Sequence, residues 1–412
     1  MEKEQLLSPK SVYLLGINSI IGSGIFLLAG KIYQDAGVFS LLAILFAGLC
    51  LTLIAFSYSN MSKIYSENGG AFVYVKNTFG RFPGYIIGMV TWILGTVSLA
   101  TEVSALLTAL KMLIPNLNVK SIGVIIIVLL GIVSYFSASI LAKLDNVTSV
   151  IKIGFVVIFI VSCVWLVRGV NFTQVVLPST NAKGGFLAAF GTIFFFFNGI
   201  SFLPVNAQKM ENPAKNLPKV MLRVMATCVS IYLIIHAVTI GVLGNHLPNT
   251  LVPAASAFSK IVGSIGIPII VVSICISILG VIITLTFNTP TILASLAQAH
   301  EDVPMIVAKN NKHEVPTLAL VFTIIGAIIL FLSGSFVFLS GLTVFMSFVQ
   351  YISTGLSNMK HKFLLVGIGT CVFSLVLLFS FTMEILIFGF SILFFLAFVY
   401  LFVKEKDKLE KK

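Results

Sequence analysis

Long stretches of this chain contain no lysine, arginine, aspartate or glutamate. They cover residues 121–142, 224–259, 261–300 and 315–359. A helix needs about 20 apolar residues to cross the roughly 30 Å of hydrocarbon in a bilayer. The last stretch has 45 residues, so it is too long for one crossing and suits two that are joined at Ser333-Gly334-Ser335. The pattern predicts a chain that crosses a membrane many times.

Composition excludes the main water-soluble classes. The chain has 412 residues, of which 58% are hydrophobic and 10% are charged, whereas soluble domains carry about 25% charged residues. So little charge cannot cover a water-facing surface, which excludes a soluble enzyme, a DNA-binding protein and a disordered scaffold. The alternating apolar and polar segments that mark an outer-membrane barrel are absent. The expected fold class is an all-α polytopic membrane protein.

The apolar segments predict twelve transmembrane helices in a single membrane transport domain, residues 1–412. The first one follows a short polar N-terminus without a cleavage site, so we expect it to be retained rather than to be a signal peptide. The expected spans lie near residues 11–33, 38–60, 84–113, 121–141, 145–167, 185–206, 219–243, 264–294, 315–333, 336–357, 363–381 and 384–403.

The distribution of basic residues predicts the orientation of the chain. With both termini in the cytoplasm, 19 Lys and Arg residues fall in cytoplasmic segments and six fall outside, while Lys152 lies within a span. This bias follows the positive-inside rule. The formal net charge of +12 is therefore a signal of topology and does not indicate binding to nucleic acid.

Two predicted spans contain residues that disfavour a helix in mid-membrane. Span 1 contains Gly22-Ser23-Gly24, and span 6 contains Asn198-Gly199 followed by Pro204. At 1.5 Å per residue, Gly22 lies roughly 17 Å from one membrane surface and Asn198 roughly 20 Å from the other. Glycines can alternatively serve only to let helices pack closely. Because the breaks match in depth and the spans run in opposite directions, they favour an inverted-repeat transporter with its site at the midplane.

Unwound backbone at that depth predicts a site for a zwitterion. The amides of Ser23, Gly24 and Ile25 would converge at the start of a half-helix, where the positive end of its dipole suits a carboxylate. Carbonyl groups at the ends of the preceding half-helices would suit an ammonium group; these belong to Ile20, Phe195 and Asn198. A carboxylate and an ammonium group a few ångströms apart describe an α-amino acid.

Three motifs resemble those of the amino acid–polyamine–organocation (APC) superfamily of transporters. Gly22-Ser23-Gly24-Ile25-Phe26 resembles its span-1 motif. The segment from Glu67 to Gly80 resembles its loop between spans 2 and 3, and the segment from Asn212 to Pro218 resembles its loop between spans 6 and 7. The resemblance covers roughly residues 10–360.

The resemblance implies a LeuT-type 5+5 inverted repeat in which helices 1 and 6 are broken. Residues 11–167 would form the first five-helix repeat and residues 185–357 the second. Residues 363–403 would form two peripheral helices.

The expected substrate-binding residues surround the two breaks: Ile20, Ser23, Gly24, Ile25, Phe195, Asn198, Gly199, Ile200 and Ser201. Arginine and polyamine carriers of the family typically have a glutamate two residues after the span-6 glycine, where this chain has Ser201. A pocket without an acid disfavours a cationic side chain, because that charge would lose its hydration. The expected substrate is therefore a neutral amino acid.

Three ionisable residues lie in the interior of the predicted spans, away from their ends. Glu102 is expected near the outer interface as a solvated or snorkelling carboxylate, and His236 as a packed, hydrogen-bonded imidazole. Lys152 lies within about 5 Å of the depth of Gly22, where a lysine costs about 2.5–3.5 kcal/mol. In several sodium-independent carriers of the family a span-5 lysine replaces a sodium ion between spans 1 and 8, and the resemblance gives that coupling role to Lys152. A lysine that snorkels to the cytoplasm is the alternative.

The expected function is secondary active transport of neutral amino acids through the plasma membrane, sodium-independent and coupled to protons. An exchanger and a non-transporting amino acid sensor of the same fold remain alternatives. An enzyme and a channel are disfavoured, because the spans contain no paired acids, no His clusters and no rings of charge. The five cysteines are expected to be buried thiols, and no metal or cofactor is expected. The particular amino acid and the oligomeric state stay open.

Overall fold

The structure is a computed structural model, and it describes residues 6, 8–65, 67, 69–136, 138–173, 185–299 and 302–410. These residues form helices and connecting segments, with no β-strand among them. In chain order the α-helices are α1 Pro9–Ile20, α2 Gly24–Leu27, α3 Ala29–Ala36, α4 Ser40–Ile64, α5 Ala71–Phe79, α6 Arg81–Leu110, α7 Val119–Phe136, α8 Ala138–Cys163, α9 Phe186–Phe196, α10 Pro213–Leu243, α11 Pro253–Val262, α12 Gly266–Ala299, α13 Thr317–Ser333, α14 Phe336–Lys360, α15 Leu364–Leu378 and α16 Met383–Glu410.

Within the described ranges, nine helical segments are long and apolar enough to cross a membrane, and three shorter apolar helices accompany them. The shorter ones are Val150–Leu166, Thr317–Ser333 and Leu364–Leu378. An all-helical, multi-pass membrane protein is thereby confirmed. Helix α6 lies at the centre of the bundle, since 83% of the residues in its most apolar 18-residue stretch are buried. In α7 the corresponding share is 22%. The exposed side chains of α7 are mostly Ile, Leu, Val and Phe, which suit contact with hydrocarbon.

The first and sixth apolar segments are both interrupted. Helix α1 ends at Ile20, and α2 begins at Gly24 after a short non-helical link. Helix α9 ends at Phe196 and is followed by the 3₁₀ stretch Asn198–Lys209, which contains Pro204. Proline lacks the amide that a continuing α-helix needs, so the chain does not return to α-helix there.

Two short helices occupy segments that the sequence analysis treated as loops or left unassigned. Helix α5 follows α4 and precedes the long helix α6, and α11 stands in the same relation to α10 and α12. At nine and ten residues both are too short to cross a bilayer, which is why a search for spans passes over them.

Helix α6 packs tightly against α12 through glycines. A Cβ atom added at Gly95 would lie 2.5 Å from Thr289 Oγ1, and one added at Gly88 would overlap the side chain of Leu296. Small residues at such positions let two membrane helices approach closely. These two helices therefore form a rigid wall beside the broken segments.

Helix α14 carries a stripe of polar side chains along one face, spaced three or four residues apart: Thr343, Ser347, Gln350, Thr354 and Asn358. The Gln350 amide donates to Thr91 Oγ1 of α6 at 2.6 Å. The Asn358 amide donates to Ser57 Oγ of α4 at 2.8 Å. Gln350, Asn358, Thr91 and Ser57 are buried, so this polar stripe ties α14 to two other helices inside the protein.

The contact between α6 and α12 can be tested with two glycine variants. We expect Gly95→Leu to destabilise the protein, because overpacking of a tight contact costs about 1–3 kcal/mol. Gly154→Leu is the matched control, since nothing lies within 4 Å of a Cβ atom at that helical position. Thermal unfolding in detergent should show a lower Tm for Gly95→Leu and an unchanged Tm for Gly154→Leu. Equal values for both variants would contradict the close packing of these helices.

Candidate functional site

The two interrupted segments contact each other through their backbones. A Cβ atom added at Gly24 would lie 2.5 Å from the Phe196 ring. One added at Gly199 would overlap the carbonyl group of Ser19. Only glycine lets these two segments of the backbone approach each other this closely. The Gly-Ser-Gly and Asn-Gly sequences therefore bring two broken helices together in the interior.

Tyr232 of α10 joins the ends of the two broken helices. Its hydroxyl oxygen lies 2.8 Å from the carbonyl oxygen of Ile20 and 2.8 Å from that of Phe196, and its one hydrogen is shared between them. These are the last residues of α1 and α9, whose carbonyl groups have lost the helical amide partner four residues on. Tyr232 is fully buried, and the sequence analysis missed it.

Lys152 of α8 is fully buried. Its ammonium group donates to the carbonyl oxygen of Asn18, in the last turn of α1, at 2.9 Å. Gly280 of α12 adjoins the same place, since a Cβ atom there would lie 3.4 Å from Asn18 Oδ1. The structure thus places Lys152 between the break in the first span and α12. A lysine that snorkels to the membrane surface is excluded.

Glu102 of α6 does not lie where the sequence analysis expected it. The residue is 6% exposed, and Oε2 accepts a hydrogen bond of 3.3 Å from the backbone amide of Ser23. The expectation of a solvated carboxylate near the outer interface is wrong. The depth had been counted along a perpendicular helix that starts at Gly84, whereas α6 has 30 residues and is about 45 Å long. A helix longer than the bilayer is thick must tilt or protrude, so that count misplaces its residues.

The Glu102 carboxylate occupies one of the three amides that were expected to hold a substrate carboxylate, that of Ser23. A Cβ atom added at Gly22 would lie 2.8 Å from Glu102 Oε1, so the acid lies directly against the unwound segment. The positive charge of Lys152 attracts this carboxylate. The expected acid-free pocket is therefore wrong, although the acid and the lysine balance each other in formal charge.

A small cavity lies between the breaks, α6 and α12. About 20 Å³ of it is open to the centre of a water molecule, which is enough for about one water molecule and too little for an amino acid. Its lining residues are Ser19, Ile20, Gly22, Gly24, Ser98, Glu102, Phe195, Phe196, Asn198, Gly199, Phe202, Val281, Thr284, Leu285 and Asn288. Binding of a larger molecule therefore requires side chains or half-helices to move.

The cavity contains some of the expected residues and several that were not expected. Five expected residues line it: Ile20, Gly24, Phe195, Asn198 and Gly199. Four others are buried outside the lining: Ser23, Ile25, Ile200 and Ser201. The polar lining residues that were not expected are Ser19, Ser98, Glu102, Thr284 and Asn288. A signal for four of them existed, because Ser98 and Glu102, and likewise Thr284 and Asn288, are polar residues four apart in apolar helices.

The Ile20 carbonyl oxygen has partners already. It accepts from the amide of Gly22 at 2.8 Å and from the Tyr232 hydroxyl. A carbonyl oxygen has two lone pairs, so in this conformation the Ile20 oxygen has little capacity left for an ammonium group, and its role in binding stays a prediction. The Asn198 carbonyl accepts a long bond of 3.5 Å from Ser201 Oγ.

The remaining sequence expectations concern His236 and the cysteines. His236 is buried, and its Nε2 lies 2.7 Å from Ser40 Oγ, which confirms a packed, hydrogen-bonded imidazole. Four of the five thiols are buried as expected, while Cys371 is half-buried. Within the described ranges, no group of three or more His, Cys, Asp or Glu side chains could hold a metal ion.

Comparison with known proteins places the chain among transporters. The family model described as amino acid permease matches residues 11–409. An uncharacterized transporter of Mycobacterium tuberculosis is 28% identical over 347 residues, which cover 76% of this chain and 70% of that protein. A methylthioribose transporter of Bacillus subtilis is 26% identical over 309 residues, 68% of this chain and 66% of that protein. An aromatic amino acid permease of Lactococcus lactis is 25% identical over 352 residues, 79% and 75% respectively.

The bridging role of Tyr232 predicts a large effect from the loss of one oxygen atom. Tyr232→Phe leaves the carbonyl groups of Ile20 and Phe196 short of a donor, and an unsatisfied buried group costs about 1–3 kcal/mol. We expect a lower Tm in detergent. Tyr135→Phe is the control, because the Tyr135 side chain is 38% exposed. An unchanged Tm for Tyr232→Phe would show that the hydroxyl does not support the breaks.

Proposed function

The chain belongs to the amino acid permease family, and we propose that it is a secondary active transporter of neutral amino acids. We place it in the plasma membrane with both termini in the cytoplasm, as the excess of basic residues in the segments assigned to that side supports. The observation that carries the proposal is the carboxylate of Glu102 on the Ser23 amide, between two broken helices. It indicates that the unwound backbone of the first span accepts a carboxylate group.

The proposed architecture is a single membrane domain of twelve spans, ten of them in two inverted repeats of five. Three features support it. The breaks fall in the first and sixth apolar segments, and the short helices α5 and α11 each follow the second span of a repeat. The three shorter apolar helices lie where spans 5, 9 and 11 are expected.

The substrate carboxylate would take the place that Glu102 now occupies. The amides of Ser23, Gly24 and Ile25 begin the second half-helix, and the first amides of a helix have no partner within it. The carbonyl groups of Phe195 and Asn198, near the end of α9, would receive the ammonium group. A neutral side chain is favoured over a cationic one, because Glu102 would be neutral while the substrate carboxylate takes its place, so the cavity would hold no ionised acid to pair with a cation.

Coupling to protons follows from competition between two carboxylates. Glu102 and a bound α-carboxylate cannot both be charged in one small buried site, because like charges at such distances repel strongly. A proton on Glu102 removes the repulsion and lets its side chain leave the amides. Lys152 would hold the unwound segment through Asn18 throughout the cycle. It takes the position of a cation between the first and eighth spans, which supports sodium independence.

A second candidate is the transport of an uncharged, hydroxyl-rich molecule. One relative is named a methylthioribose transporter, and Glu102 already satisfies the Ser23 amide. A ligand without a carboxylate would leave Glu102 in place and bind to the hydroxyl and amide groups of the cavity. Its uptake would then not require the acid to move or to gain a proton.

The role of the unwound segment predicts that Gly24→Val abolishes uptake. The added side chain would meet Phe196 and would displace the amides from the site. Gly154→Val is the control at a helical glycine with open space around it. Uptake of labelled amino acids into proteoliposomes, with equal amounts of inserted protein, measures the effect. Normal uptake by Gly24→Val would exclude the span-1 site.

The coupling proposal predicts different results for two variants. Glu102→Gln removes the repulsion permanently, so it should still exchange amino acids but should no longer accumulate them in response to an inward proton gradient. Lys152→Ala should cripple uptake and exchange alike, because the Asn18 carbonyl loses its partner. Uptake by the unaltered protein should rise as the external pH falls and should not require sodium.

Three outcomes would contradict this coupling. Sodium-dependent uptake would exclude Lys152 as the substitute for a cation. Proton-driven accumulation by Glu102→Gln would remove Glu102 from the mechanism. Uptake of a neutral sugar that is independent of pH, without uptake of any amino acid, would favour the second candidate.

A further inference from the structure

Asn198 is held in place by two helices, α6 and α14. Its amide nitrogen donates to Ser98 Oγ of α6 at 2.7 Å. Its amide oxygen lies 3.1 Å from Ser347 Oγ of α14, whose one hydrogen is shared with the carbonyl oxygen of Thr343. A side chain bonded at both ends has a fixed orientation, and Asn198 and Ser98 both line the cavity. This Ser98–Asn198 pair is therefore a rigid polar patch in the cavity wall.

The pair lies at the distance from Glu102 that a short side chain would span. Ser98 precedes Glu102 by four residues on α6, which is one turn or about 6 Å along the axis. With the substrate carboxylate on the Ser23 amide, near Glu102, the side chain of an amino acid that points along α6 would reach Ser98 and Asn198. Larger side chains would have to displace Phe195 or Phe202, which also line this small cavity.

The opposite wall is polar as well. Thr284 and Asn288 are one turn apart on α12, and both line the cavity. The Thr284 hydroxyl donates its hydrogen to the carbonyl oxygen of Gly280 at 2.9 Å, so its oxygen can accept a hydrogen bond. A hydroxyl or carboxamide group of a substrate would add a hydrogen bond to this wall, whereas an aliphatic side chain would add none.

We propose that the Ser98–Asn198 pair hydrogen-bonds the side chain of the substrate. The pair thereby selects short neutral side chains with a hydroxyl or carboxamide group, the class of serine, threonine and asparagine, over aliphatic side chains of equal size. The inference rests on the proposed transport of amino acids and deepens it. A site that hydrogen-bonds a hydroxyl group discriminates strongly against an analogue that lacks it.

Threonine and valine provide the test, because they have the same shape and differ in one hydroxyl group. In proteoliposomes that contain the unaltered protein, we expect threonine uptake to exceed valine uptake by at least about tenfold in kcat/KM. Asn198→Leu should lower this ratio to about one, whatever its overall rate of uptake, because the group that distinguishes the hydroxyl is gone. Ser98→Ala is a milder second variant and should lower the ratio severalfold. Asn245→Leu, in an exposed segment, should keep the ratio of the unaltered protein.

The ratio of threonine to valine uptake by the unaltered protein tests this inference without requiring any variant to fold. Equal uptake of threonine and valine would overturn this inference and leave amino acid transport intact. An unchanged ratio in Asn198→Leu would also overturn it. Failure to transport any amino acid in a full panel would overturn the proposed function together with the inference.

Discussion

The backbone carbonyl groups at two interrupted helices set the constraint on which this structure depends. Hydrocarbon offers no hydrogen bonds, so each carbonyl group that a break releases must find a donor within the protein. Tyr232 serves Ile20 and Phe196, and Lys152 serves Asn18. Both donors come from helices that cross without a break, so the unbroken helices determine the shape of the broken ones. The cavity is the space that these supported ends enclose.

The same constraint explains why two charged side chains can lie so deep. A lone charge near the middle of a membrane is costly, and such residues normally pair or line a polar cavity. Glu102 and Lys152 attract each other, and each also bonds to the backbone on either side of the break in the first span. The acid binds an amide and the lysine binds a carbonyl, so each charge meets the opposite end of the peptide dipole.

The sequence indicated where the site lies more clearly than which side chains form it. Gly22, Gly24 and Gly199 marked both breaks, because glycine in a long apolar run signals a special backbone requirement. Tyr232 gave no signal, since a tyrosine within an apolar span is usually part of the packing. Glu102 was recognised as unusual but was placed at the wrong depth, because counting along the axis cannot reveal tilt or protrusion. Which side chains share a cavity depends on how four helices are rotated, and periodicity in one helix does not contain that information.

The polar stripe on α14 has a consequence for the speed of conformational change. Interlocked aliphatic side chains resist sliding, because each one must leave the gap it fills between side chains of the neighbouring helix before it can enter the next gap. A row of hydroxyl and carboxamide groups spaced one turn apart can instead exchange one partner for the next, as one hydrogen bond forms while another breaks. A displacement of α14 along its axis that lets these groups find equivalent partners on α4 and α6 would therefore measure about one turn, or about 5.4 Å.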